Sequence, residues 1–524
     1  MSKHIMAIDA GTGSVRAVIF NLEGNIISQS SREWTHTEDS RWPGSMNFDW
    51  DEGWRLASMC VRDALKLSSL NAGDIAAIST TSMREAIIFY DAEGKEIWGC
   101  ANVDARSYNE VSQLIGEDPS RELKIYGVSG ETYALGALPR LLWVKNNLPD
   151  VYERIHRVSM INDWLIYKLT GELVSEPSNG STTGMLSLSS RSWDPAIAES
   201  CGLRSDIFTP VKECGEIAGY VSGSGASDTG LPAGAPVVVG GGDAQLGTIG
   251  VGVTRPGRAA VFGGSFWQYE FNTGSVVTDP VGKVRVNCHA IPDVWQFEAI
   301  AFQPGLVMRW YRDAFCQHEK GLAEERGCDT YQLMDEKAAG IPAGSYGMMC
   351  TFSDIMNFIS WKHASPSFTN FLIDPGKFNK YTFYRSIMEN AAMVTYGQMK
   401  LVNDLTGNMP DEIIFAGGAS KSELWSRILA DVLGITVKVP AVKEATALGA
   451  AILAGRGVGV FGDIEETATK LNAIEAVYRP DAQNHSIYME MFDKWKKLYE
   501  SQMKLSDEGA LRHMWAAPGT IPSK

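Results

Sequence analysis

No two of the eight cysteines are spaced as a Cys-x-x-Cys pair, none sits with histidine in a metal-like cluster, and the eight histidines are themselves dispersed. Cys60, Cys100, Cys201, Cys214, Cys288, Cys316, Cys328 and Cys350 are read as free, mostly buried thiols, and the scatter argues against a zinc enzyme. Basic excess is missing as well. Lys and Arg number 47 against 62 Asp and Glu, a formal net charge of −15, which excludes a general nucleic-acid surface. No uninterrupted apolar stretch is long enough to span a bilayer, and the N-terminus carries no secretory pattern. The expectation is a cytoplasmic protein without nucleic-acid or membrane partners. No low-complexity linker interrupts the 524 residues, which suffice for two or more domains of ordinary soluble composition, 44% hydrophobic and 21% charged.

On so acidic a chain, a phosphate site must come from local geometry. Ile5-Met6-Ala7-Ile8 runs into Asp9-Ala10-Gly11-Thr12-Gly13-Ser14-Val15-Arg16 and returns as Ala17-Val18-Ile19-Phe20. Strand, small-residue turn and strand read as a β-hairpin. Small residues let backbone N–H groups approach an anion, Thr12 and Ser14 add hydroxyls, and Arg16 adds charge. Asp9, at the strand end, suits a hydrated Mg²⁺. The lysine and following helix of a P-loop are absent, and an ordinary hairpin turn explains the same residues.

The clearest punctuation is Gly230-Leu231-Pro232-Ala233-Gly234-Ala235-Pro236, then Val237-Val238-Val239 and Gly240-Gly241-Gly242-Asp243. Gly250–Gly257 reads as a connector, giving domains at 1–248 and 249–524. Apolar strands and helical patterns alternate on both sides, which predicts two α/β domains. Ala259-Ala260-Val261-Phe262, Gly263-Gly264-Ser265 and Phe266-Trp267-Gln268-Tyr269 echo the first hairpin. Two facing hairpins could grip a triphosphate from opposite sides. Glu412–Phe415 followed by Ala416-Gly417-Gly418-Ala419-Ser420-Lys421-Ser422 is a strand-to-helix turn that admits a flat ligand or serves only as a turn. The small-residue helix Glu444–Ala451 suits close packing or a pocket wall.

In order and spacing these segments resemble the FGGY carbohydrate kinase family, of the actin-like ATPase type. The first hairpin, Ala137–Trp143, Asn162–Leu165 with Leu169–Glu172, Gly241–Asp243, the second hairpin and Gly417–Ala419 carry the likeness over roughly Lys3 to Gly455. Ser82–Glu85, Cys100–Arg106, Gly242–Gly247, Phe262–Gln268 and Met308–Cys316 are most similar to members that phosphorylate linear dihydroxypentanedione, a quorum-sensing signal, at its terminal hydroxyl. The residues alone reach only a sugar or polyol kinase, for instance of xylulose or glycerol. An actin-like ATPase without a small acceptor is the alternative from another class.

The resemblance implies two ribonuclease H-like domains flanking a cleft, with ATP and Mg²⁺ as cofactors. It implies Asp243 as general base and, with Asp9, as neighbour of the metal. Thr12, Gly13, Ser14, Arg16, Gly264, Ser265, Gly305 and Arg309 are implied around the phosphates, and Gly418 and Ser422 at the adenosine end. Arg84, Glu85 and Gln245 are implied to bind the acceptor, as cation and anion grip neighbouring oxygens. Structural uses compete at several positions. They are a helix cap at Asp243, an ion pair at Arg84-Glu85, a helix start at Gly305, and core packing at Phe266 and Trp267. Gly264 stands where many relatives carry threonine, which implies that its backbone N–H donates instead. Tyr133 is near the substrate tyrosine of polyol-kinase relatives, and Tyr384–Asn390 departs from the second family signature. Family members can also be regulated by phosphocarrier proteins of the sugar phosphotransferase system.

Overall fold

The two halves of the chain build the same sheet twice. The computed structural model describes residues 4–134, 136–301, 303–353, 358–517 and 519. In the first sheet the spatial order is Ile217–Tyr220, Pro236–Gly242, Ile75–Ser82, His4–Ala10, Ser14–Phe20 and Ile26–Glu33. The second runs Arg285–Cys288, Trp295–Ala301, Trp267–Thr273, Ala259–Gly263, Glu412–Ala416, Thr436–Pro440 and Ile474–Tyr478. In each, an antiparallel meander opens the domain and two parallel strands follow. An antiparallel edge strand completes the set. The expected pair of ribonuclease H-like α/β domains is the architecture observed, and both expected hairpins form.

Burial explains why the central strands read as continuous apolar runs. All seven residues of His4–Ala10 are buried. Met6, Ile8 and Ala10 pack with the Trp50–Ser68 and Ile161–Thr170 helices, while Ile5 and Ala7 face the helix Ala445–Gly457. A strand covered on both faces has no solvent side to mark with polar residues. The second domain has its own core around Trp267, Trp425 and Trp495.

The helices Asp243–Gly250 and Ala445–Gly457 cross where the domains meet. A Cβ on Gly449 would lie 1.9 Å from the Leu246 carbonyl oxygen, and one on Gly250 would lie 1.8 Å from that of Ala445. Backbone therefore meets backbone, and the small residues of Glu444–Ala451 serve close packing. The crossing also carries the later helix, from the second half of the chain, onto the first sheet.

A buried histidine ties the second sheet to this crossing. His289 Nδ1 accepts the Ile291 N–H at 3.0 Å, so Nε2 carries the hydrogen toward Thr248 Oγ1 at 2.9 Å. Burial, aided by Arg191, pushes its pKa down to about 3. A histidine depressed on folding contributes stability that is complete above its unfolded pKa of about 6.5 and is lost as pH falls. Urea midpoints are expected to drop between pH 7 and 5 with a component of up to about 1.4 kcal/mol per pH unit from this residue. His289→Gln should lose that component; equal slopes in the two proteins would contradict it.

Candidate active site

The first hairpin turns through Gly11, Thr12 and Gly13 between its two strands. Asp9 and Arg16 are cross-strand partners in that hairpin, and Arg16 Nε reaches Asp9 Oδ2 at 2.8 Å. The other end of the guanidinium reaches Glu444 Oε2 at 2.6 Å, linking the hairpin to the helix from the second half. Arg16 is therefore held by two carboxylates and is not a free cation. Asp9 is buried, and burial, against the pull of Arg16, raises its pKa.

In the second hairpin Gly264, Ser265 and Phe266 are exposed at the turn. The Gly264 N–H donates to the Phe266 carbonyl at 2.8 Å. This corrects the expectation that the amide replaces a threonine hydroxyl, because hairpin closure already engages it. Trp267 is fully buried, stacks on Trp425 at 5.0 Å and donates to Thr395 Oγ1 at 2.9 Å; it belongs to the core. Gly305 opens the helix Pro304–Phe315, and a Cβ there would sit 2.0 Å from the Gly264 carbonyl oxygen. Arg309 is exposed one turn on. Gly417, at φ +93°, and Gly418 lie over the Gly263 carbonyl, so the structure brings Gly264, Gly305 and Gly418 to one neighbourhood. The Ser422 hydroxyl caps Glu423–Leu433 by accepting the Trp425 N–H at 3.0 Å.

Asp243 follows three glycines, the first of which admits no side chain because its Cβ would meet backbone. A Cβ would lie 1.6 Å from the Thr80 carbonyl oxygen at Gly240, 2.5 Å from Ser178 Oγ at Gly241 and 2.6 Å from Gln245 Oε1 at Gly242. The strand thus runs hard against its neighbours, and Asp243 begins the next helix with its side chain 40% exposed. Arg84 Nε lies 3.1 Å from Asp243 Oδ1, and the same guanidinium pairs with Glu298. Although the Asp243 carboxylate is partly open to the cleft, desolvation by the protein around it, moderated by Arg84 and reinforced by Asp9, Glu85 and Glu298, pushes its pKa up to about 6. It is still ionised at neutral pH and more basic than an ordinary aspartate. Gln245 is fully buried, and neither atom of its amide meets a hydrogen-bond partner among the described residues.

Glu85 takes a left-handed backbone, φ +61°, unusual outside glycine. Fully buried Arg140 holds it there, donating to the carbonyls of Glu85 at 2.5 Å, Asn102 at 2.6 Å and Asp104 at 3.0 Å. The Glu85 carboxylate pairs with Arg285 Nη2 at 2.5 Å, and Arg285 also reaches Glu131 at 2.6 Å and Glu298 at 3.2 Å. Burial pushes Glu131 up to about 8 in spite of Arg285, and burial followed by the Glu298 charge raises Glu270 well above the usual carboxylate range. Glu298 is also buried, yet Arg84 and Arg285 hold it below the usual range.

Residue-level reading missed Arg140, Glu131, Arg285 and Glu298. The signal available was a charge inside an apolar pattern, as in Trp295-Gln296-Phe297-Glu298-Ala299. Tyr133 is buried and accepts from Arg121 Nε at 3.2 Å, within the first domain's core. Around Tyr384–Asn390, Arg385 and Glu389 pair at 2.9 Å and bond Tyr488 and Ser345, so that segment is a buried polar anchor.

Residues 4–250 match the N-terminal domain, and residues 273–458 the C-terminal domain, of the FGGY family of carbohydrate kinases. The chain belongs to this family. It is 50% identical over 517 residues to the autoinducer-2 kinase of Escherichia coli (strain K12), covering 98% of each chain. The same identity holds over 519 residues with the autoinducer-2 kinase of Enterobacter sp. (strain 638), covering 99% of this chain and 98% of that one. The fold matches the xylulose kinase of Rhodospirillum rubrum with a TM-score of 0.85 at 22% identity, over 96% and 99% of the two chains. It matches Plasmodium falciparum glycerol kinase with ADP at 0.82 and 20% identity, over 95% and 98%. As an FGGY kinase the protein is an ATP-using phosphotransferase with an alcohol acceptor. Among the described residues no helix is long and apolar enough to cross a membrane.

Removing one partner from a buried charge network strands the others. Arg285→Met is expected to cost about 3–5 kcal/mol in urea unfolding, and adding Glu131→Leu should restore part of it. A loss below about 1 kcal/mol would show that Arg285 is dispensable to the network.

Proposed function

We propose that this chain phosphorylates the terminal hydroxyl of linear dihydroxypentanedione, the acceptor of an autoinducer-2 kinase. The observation that carries the reading is the Arg84–Asp243 pair, 3.1 Å apart, in a chain 50% identical to autoinducer-2 kinases over nearly its whole length. Phosphoryl transfer asks the protein for alignment, charge neutralisation and a base. Asp243, with its pKa near 6, accepts the hydroxyl proton as the oxygen attacks the γ-phosphorus. Arg84 donates to acceptor oxygens, Glu85 accepts from hydroxyls, and the unpartnered Gln245 amide supplies a donor and an acceptor beside them.

Thr12, Gly13, Ser14 and Arg16 take the β- and γ-phosphates from one side, with Gly264, Ser265, Gly305 and Arg309 opposite. Gly418 and Ser422 take the adenosine end. Because the Gly264 amide is engaged, contact there falls to Ser265. Mg²⁺ fits the oxygen donors present: with nucleotide phosphates it needs only one or two carboxylates, and Asp9 and Asp243 are close enough to feel each other's charge. Those two would hold it, and the ion would neutralise charge on the phosphates. Units 1–248 and 249–524 close on the ligands and exclude water. Residence in the cytoplasm and regulation by a phosphocarrier belong to the same reading and rest on the family alone.

In an ADP-release assay dihydroxypentanedione should exceed xylulose, glycerol and other short sugars in kcat/KM, with a product one phosphoryl group heavier by mass spectrometry. Asp243→Asn should stay folded and lose kcat by roughly 10²–10⁴. Preference for a pentose would reassign the acceptor. ATP turnover indifferent to any acceptor would favour the actin-like ATPase reading, and near-normal Asp243→Asn turnover would remove the base.

A further inference from the structure

The turn of the first hairpin has its carbonyls secured from behind, one after another. The Ala10 carbonyl accepts the Met83 N–H at 2.8 Å, and the Gly13 carbonyl accepts the Trp34 N–H at 3.1 Å. Between them, Trp34 Nε1 donates to the carbonyls of Gly11 at 3.0 Å and Thr12 at 3.1 Å. His36 Nε2 lies 2.7 Å from the same Thr12 oxygen, and a ring nitrogen facing a carbonyl must carry the hydrogen. The amides of Gly11, Thr12 and Gly13 donate to no backbone acceptor among the described residues. A Cβ at Gly13 would meet no atom within 4 Å, so that side of the turn is open.

We infer that Trp34 and His36 are positioning residues for phosphoryl transfer, holding the Gly11–Gly13 turn with its carbonyls inward and its amides toward the nucleotide phosphates. The inference rests on the proposed role of this turn as a phosphate site. Glycines on both sides of Thr12 leave its two peptide planes free to rotate. A rotated plane would point a carbonyl at an anion, replacing attraction by repulsion. The two side-chain donors remove that freedom. They are themselves braced, because the Trp34 ring packs edge-on to Phe48 at 5.4 Å, His36 lies 6.0 Å from Phe48, and Phe48 abuts Trp164 at 5.3 Å. Neither residue needs to touch nucleotide.

Trp34→Phe keeps the ring and removes the N–H, His36→Leu removes the donor, and His36→Gln restores an amide donor of similar reach. Trp34→Phe and His36→Leu should each raise KM for ATP and Kd for ADP about tenfold. AMP affinity and acceptor KM should stay close to wild type, and His36→Gln should recover most of the loss. Unchanged ATP and ADP constants in both variants would overturn the inference. So would an equal loss for AMP, ADP and acceptor, which marks general loosening. If Trp34→Phe does not fold, the two His36 variants decide by the same readouts. Gly13→Glu separates the two levels, since it puts a negative charge on the open side of the turn. If it too leaves ATP binding unchanged, the phosphate reading of the turn fails. If it alone weakens ATP, only the roles of Trp34 and His36 fall.

Discussion

Two arginines set among five carboxylates are the constraint on which the site depends. Arg84 comes from the first sheet's strand end and Arg285 from the second sheet. Glu298, beside Arg285 in strand register, touches both. Charges buried this deeply persist only when paired or neutralised. Each arginine therefore needs carboxylates from both halves of the chain, and the surplus acids, Glu131 and Glu270, are driven toward protonation. The residues that would grip an acceptor have their geometry only when the halves meet. Asp243 sits at the border of this network, which is why its pKa reflects charges contributed by both sheets.

Glycine does the corresponding work for the backbone. At Gly240, Gly250, Gly305 and Gly449 an added Cβ would fall within 2.0 Å of a carbonyl oxygen. Those positions lie on the strand leading to Asp243, at both sides of the helix crossing and under the second hairpin. Backbones that close cannot be spread by repacking a side chain, so the distance between hairpin, helix start and base is set by main-chain contact. The neighbourhood of the two hairpins is thus held by close approach, and that of Arg84 and Arg285 by charge.

Local patterns made much of this legible. Both hairpins, the strand into Asp243 and the strand-to-helix turn at Gly417 follow from apolar runs interrupted by small residues, because turn chemistry is local. The second hairpin followed from noticing that Ala259–Tyr269 echoes Ile5–Phe20, whereas the duplicated sheets came only with the family resemblance. What escaped reading was set by long-range partners. Nothing near Arg16 in sequence announces Glu444, and nothing near Glu85 announces Arg285 or the Arg140 guanidinium beneath its strained backbone. The Gly264 amide was misjudged because a two-strand echo does not tell which N–H the hairpin itself engages. Trp267 was ambiguous for a similar reason: strand alternation gives a face, but not whether core or cleft lies on it.

The interface between the halves is of more than one kind. Around the charge network, the second sheet turns a polar layer toward the first domain. Arg285, Glu298 and Glu270 form one cross-strand row, and Asn287, Gln296 and Asn272 the next. Beside these rows apolar surface also crosses between the halves, where Leu186 and Leu188 join the second domain's core with Val286, Cys288 and Trp295. The crossing of Asp243–Gly250 with Ala445–Gly457 is small-residue and apolar, with backbone in contact. Asp243 is the first residue of one of those helices and Glu444 stands at the N-cap position of the other, so the carboxylates that pair with Arg84 and with Arg16 are both anchored at this crossing.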